Sequence, residues 1–117
     1  MGLLLVLKII AALATAATGL LALVKPAAVY GFTGLITSGV RGISEIRAIF
    51  GGLFIALGVA PLFLGERAYL MLGIGYLAIA LTRIISIIID KSYDQSNWIS
   101  LAIEIVLGII LVIPRGN

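Results

Sequence analysis

The sequence predicts an all-α integral membrane protein, a four-transmembrane-helix bundle of up-down topology with a short interfacial helix between helices 1 and 2. Three observations predict it. Four apolar segments each approach the ~20 residues that cross a bilayer, the composition is too apolar for a water-soluble fold, and the connections are short. Of 117 residues, 62% are hydrophobic and 11% are charged, with a mean hydropathy of +1.29. A water-soluble domain of this size cannot hide so much apolar surface. Residues 1–117 read as one integral membrane domain.

The first segment runs from Leu3 to Val24. No positive residue precedes its apolar run and Lys8 interrupts it, so it reads as a retained helix and not as a signal peptide. Val6 stands where a myristoylation motif wants Ser or Thr. The second segment, Ile46 to Leu64, has Ser44 as its candidate N-cap, and Pro61 near its end removes the hydrogen bond to Leu57. Ala68 to Ile89 is the third and Trp98 to Ile113 the fourth. Four crossings put both termini on one side with the turn Gly65-Glu66-Arg67. The connection Lys25 to Ser44 and the polar turn Asp90 to Asn97 lie on the other.

The longer connection starts with Pro26 at a helix-start position, followed by Ala27, Ala28, Val29, Tyr30 and Phe32. A glycine-containing stretch through Gly31, Gly34, Gly39 and Gly42 then reads as a flexible re-entry. Tyr30, Phe32, Tyr93 and Trp98 form an aromatic belt on this side, and Tyr69 marks the other. Basic residues divide evenly, with Lys8, Arg67 and Arg115 against Lys25, Arg41 and Lys91, so the charge count assigns no orientation.

The net charge of +3 is scattered. It suits contact with anionic membrane lipid and offers no basic stripe for nucleic acid. Cysteine and histidine are both absent, which excludes disulfides, zinc, iron–sulfur clusters, His-ligated haem and His-dependent catalysis. No metal and no cofactor is expected.

In lipid, helices associate through close approach of small residues and through polar contacts. The second segment carries Ala48, Gly52, Ala56 and Ala60 at every fourth position, with Gly51 and Gly58 beside them. The first carries Ala11, Thr15, Gly19 and Ala22, with Thr18 adjacent. These two stripes are expected to face one another or the bundle centre, and Ala48, Gly52 and Ala56 to be buried.

Two charges stand inside apolar runs. Arg83 is seven residues before Asp90 and Glu104 seven after Asn97, so on a helical hairpin both lie about 10 Å deep and can meet. Ionisable residues at that depth face the bundle interior and mark a candidate site. Tyr76, Arg83, Ser86 and Asp90 share one face of the third helix; Asn97, Ser100 and Glu104 share one face of the fourth. Glu45 and Arg47, at the entrance of the second helix, are expected close enough to share hydrogen bonds with the pair. One reading makes this a structural ion-pair network that holds register. Another makes it a small cavity where guanidinium groups hold an anionic or polar ligand. Two carboxylates and a tyrosine are weak grounds for acid–base chemistry, and the chain is expected not to be an enzyme.

Ser44-Glu45-Ile46-Arg47-Ala48-Ile49-Phe50-Gly51-Gly52, then Thr82-Arg83-Ile84-Ile85-Ser86 leading to Asp90, then Glu104-Ile105-Val106-Leu107-Gly108, resemble a bacterial family of small four-helix membrane proteins of unknown function. That family is loosely similar to DoxX-type proteins. The resemblance covers nearly the whole chain and implies a four-helix fold, with Glu45, Arg47, Arg83, Asp90 and Glu104 as the characteristic polar set. In such proteins a glycine often follows the acidic residue that closes the third helix, where this chain has Lys91. No activity, cofactor or substrate comes with the resemblance. The expected role is a non-enzymatic accessory or structural subunit of a membrane assembly, or a homo-oligomer, in a bacterial inner membrane. The alternative is a binder or carrier of a small anionic or amphipathic molecule, such as a lipid or a quinone-like compound.

Overall fold

Uninterrupted apolar text makes helices long enough to cross a membrane, and the computed structural model, which describes residues 2–115, contains four. They are Leu3–Val24, Gly39–Leu64, Glu66–Asp90 and Gln95–Val112, called here the first to fourth spans. The first packs along the second and the third along the fourth; lighter contacts of first with fourth and second with third complete an up-down ring. Buried apolar side chains gather in three clusters along it. Ala11, Ala12, Tyr69, Leu72 and Leu111 join the first, third and fourth spans; Ala22, Val29 and Ile46 sit under the long connection; Ala80, Ile87 and Leu101 lie between the third and fourth spans. Tyr69 is thus a core residue, only 4% exposed, and not a belt marker. The four aromatics expected in the opposite belt, Tyr30, Phe32, Tyr93 and Trp98, are exposed at that end.

The long connection holds a 3-10 turn Pro26–Ala28 and a short helix Val29–Thr33, closed by Gly34 at φ 78°. The second span starts at Gly39, earlier than the hydropathy suggests, so Ser44 is an interior helical residue and not a cap. Gly39 and Gly42 are therefore helical positions, and the non-helical re-entry is confined to residues 34–38. Arg41, Glu45 and the other polar residues of this first turn and a half lengthen the helix beyond its apolar part. At the far end, Gly65 takes φ 82° in the one-residue link to the third span, a conformation that favours glycine. The third span closes on Lys91 in the left-handed region (φ 54°), the position that glycine ordinarily fills after a helix.

From Ile46 to Leu53 the second span is π-helical. Hydrogen bonds from i to i+5 put more residues in each turn than the i to i+4 bonds of an α-helix, so the repeat of a face falls between four and five residues. Ile46 and Gly51, five apart, are the buried residues of this segment, and Gly58 and Pro61 continue the buried face. Ala48, Gly52 and Ala56, expected to be buried, are all exposed. On the first span Ala11, Thr15, Gly19 and Ala22 are buried, as the stripe suggests. Only part of that stripe meets the second span: Gly19 lies against Gly51 and Ala22 beside Ile46, while Ala11 and Thr15 face Tyr69, Leu111 and Tyr76 of the third and fourth spans, and Gly58 packs on Ala12 and Ala16.

The reason is steric. A Cβ added at Gly58 would stand 2.5 Å from the Ala12 carbonyl oxygen and the Ala16 nitrogen, and one at Gly19 would stand 2.7 Å from the Gly51 carbonyl oxygen. Backbones this close exclude even alanine, so Ala48 and Ala56 could not occupy the contact. At Gly52 the nearest atom to an added Cβ is 3.9 Å away. Gly58→Ala is therefore expected to destabilise the bundle by about 1–3 kcal/mol, as overpacking does, and Gly52→Ala to leave it unchanged. Unfolding of the two variants in mild detergent, titrated with SDS, measures the difference.

Candidate functional site

Arg83 and Glu104 face each other across the third and fourth spans, each about two turns from the polar turn that joins them. Arg83 Nε donates to Glu104 Oε1 at 2.8 Å and Nη2 donates to Oε2 at 2.6 Å, a two-pronged charge-assisted contact. Nη1 donates to Asn97 Oδ1 at 2.6 Å. Asn97 is held in turn by its own amide, which donates to the Ser92 carbonyl and hydroxyl oxygens. The fork, the amide and the serine form one chain of bonds that braces the hairpin at its turn. The Glu104 side chain is 11% exposed and that of Arg83 29%.

The remaining expected members go elsewhere. Glu45 pairs with Arg41 one helical turn back, at 2.9 Å and in the open, an arrangement that contributes little. Arg47 is exposed and has no hydrogen bond with Arg83 or Glu104. The early start of the second span and its π-helical stretch carry both residues away from the hairpin interior. Tyr76 bonds to Thr15 on the first span and not to the pair. Ser86 donates to Asp90 at 2.7 Å on the exposed side of the third span. Ser100 is half-buried and engages neither charge. Thr18 bonds to the Ala14 carbonyl of its own helix.

A second polar knot closes the other end of the bundle. Lys8 is completely buried, and its Nζ donates to Glu66 Oε1 at 2.7 Å and to the Leu111 carbonyl at 3.2 Å. Arg115 Nε donates to the other Glu66 oxygen at 2.8 Å. The carboxylate that starts the third span therefore ties the beginning of the first span to the end of the fourth. This also holds Lys8 and Arg115 at one end of the bundle. Sequence reasoning used Lys8 only as a charge count. Its position one turn and a half into an apolar run, at the level of Glu66 and Arg115, was the signal available. Among the described residues no buried side-chain nitrogen or oxygen lacks a partner, and no group of acidic residues could hold a metal ion.

Beside the first knot, Ala78, Ile79, Thr82, Arg83, Ser86 and Asn97 line an open groove of about 420 Å³. It faces sideways, toward the surroundings of the bundle.

The model of one protein family, described as a domain of unknown function (DUF4345), matches residues 3–114, and the chain belongs to that family. No curated protein and no solved structure matches the chain.

Proposed function

We propose that this member of a family of unknown function is a non-enzymatic membrane protein that acts by helix–helix association, as a homo-oligomer or as an accessory subunit of a larger membrane assembly. The observation that carries the reading is the face of the second span left uncovered by the rest of the chain. Ala48, Gly52 and Ala56 are exposed along it, and Gly52 has room for another backbone. Small side chains there let a further helix approach closely, which is what drives association in lipid. The ion-paired carboxylates support the same reading. Both oxygens of Glu104 are held by Arg83, and those of Glu66 by Lys8 and Arg115. Neither is free to serve as a base. A bacterial inner-membrane location and the loose likeness to DoxX-type proteins belong to this proposal.

The chain has no cysteine, so single cysteines report contacts cleanly. Gly52→Cys and Ala56→Cys, each labelled with a maleimide-linked photoreactive group that inserts into C–H bonds, are expected to give covalent protein adducts on illumination in native membranes: of doubled mass for a homo-oligomer, or of another discrete mass for an accessory subunit. Gly75→Cys, equally open but on the third span, is expected to give none. No adduct from either second-span position, or equal adducts from position 75, would overturn the reading.

A further inference from the structure

We propose that the groove beside Arg83 is a binding site for one anionic amphiphile, an oxyanion head carrying an acyl chain. The argument starts from the guanidinium. Arginine carries five N–H donors, and three are spent on Glu104 and Asn97. One hydrogen on Nη1 and one on Nη2 remain, on a side chain that lines the groove. Thr82, also in the lining, has no side-chain hydrogen bond among the described residues, so its hydroxyl is available beside them. Three unspent donors thus belong to side chains that line one lateral opening. Arg83 is held rigidly by its other bonds, so an incoming anion meets a donor edge already in place.

Polarity changes along the groove. Ser86 and Asn97 mark its outer end, nearest the turn, while Ala78 and Ile79 mark its inner end, toward the middle of the third span. Ile79 to Ser86 covers about 10 Å of helix rise. That order, polar outside and apolar inside, is that of a lipid-like molecule lying along the helix with its head outward. The nearby acidic groups locate the head. Glu104 lies behind the guanidinium, and Asp90 is held by Ser86 at the outer end. An oxyanion therefore sits at Arg83 and Thr82, short of Ser86, and its chain follows Ala78 and Ile79. The proposal is independent of the association reading, since it uses the third span and not the second.

The test is native mass spectrometry of the full chain, released from neutral detergent containing oleate, dioleoyl phosphatidylglycerol or oleyl alcohol. Oleyl alcohol has the same chain without the oxyanion. One oleate or one phosphatidylglycerol per chain is expected, retained at least about tenfold better than oleyl alcohol, since charge-assisted bonds are lost with the anion. Which of the two is retained identifies a free carboxylate or a phospholipid head as the source. Ile79→Trp, which fills the groove and leaves the ion pair untouched, should lower retention by a similar factor. Arg83→Met combined with Glu104→Gln should abolish the preference for the anion over the alcohol. Circular dichroism confirms that each variant is helical. Equal retention of oleyl alcohol by the natural chain, or unchanged retention by Ile79→Trp, overturns the site. So does displacement by millimolar inorganic phosphate, which would mean that the free anion suffices.

Discussion

Glu104→Gln is expected to destabilise the bundle by about 3–5 kcal/mol, the cost of leaving one partner of a buried ion pair uncompensated. The substitution keeps the volume, removes the charge and exchanges one acceptor oxygen for an amide donor, so Arg83 retains its place between the third and fourth spans with no anion opposite its Nε and Nη2. Asn97 stays on Nη1 but is neutral. Arg83 is partly exposed, which allows some relief toward the groove and sets the effect toward the lower part of that range. Adding Arg83→Met to the same chain should recover much of the loss, because two neutral side chains need no compensation. The double variant is then more stable than the sum of the singles by more than ~1 kcal/mol, the coupling expected of groups in direct contact. SDS-titrated unfolding of the four proteins supplies the cycle. Strict additivity would show that the pair contributes no mutual energy.

Glu66→Ala is expected to be comparably damaging, and Lys8→Met markedly less so. Lys8 is 0% exposed. Without Glu66 its ammonium keeps one backbone carbonyl and no anion, again a cost of about 3–5 kcal/mol. Without Lys8, by contrast, Glu66 still has Arg115 and is about two-fifths exposed, so it can be solvated. Methionine fills the space of the lysine stem, and the loss is about 1–2 kcal/mol for charge-assisted bonds. The asymmetry is the diagnostic feature. If Lys8→Met proves as harmful as Glu66→Ala in the same unfolding assay, then Lys8 acts chiefly through its own bond to the fourth span, and Glu66 is not its principal partner.

Hydropathy and length alone determined the fold class, because in lipid a chain must satisfy its backbone within each segment, and only a helix does so for an isolated apolar stretch. The Arg83–Glu104 meeting was also legible. Both residues are counted from the same short turn, and a hairpin of two helices leaves little freedom in relative depth. Lys8 was open to the same counting, from the first span's start and from Glu66, but its partners are 58 and 103 residues away in sequence, and only the closed ring of helices brings them within reach.

Tertiary structure decided which face of the second span is inside. A four-residue stripe and its neighbour differ by a small rotation on a helical wheel, and the π-helical turns at Ile46–Leu53 shift that rotation in a way that no α-helical spacing anticipates. The choice falls on Gly51 and Gly58 because the first span's backbone approaches to a distance at which an alanine methyl has no room. The same rotation turns Arg47 outward and leaves Glu45 with Arg41, which reduces the expected five-residue polar set to one ion pair with Asn97 as its support. Composition and spacing thus determined how many helices there are, how deep their charges lie and which two can meet, since these follow from distance along the chain. The buried face, the Lys8 knot and the open side of Arg83 follow from how closely two backbones can approach, a distance set by atoms on both helices at once.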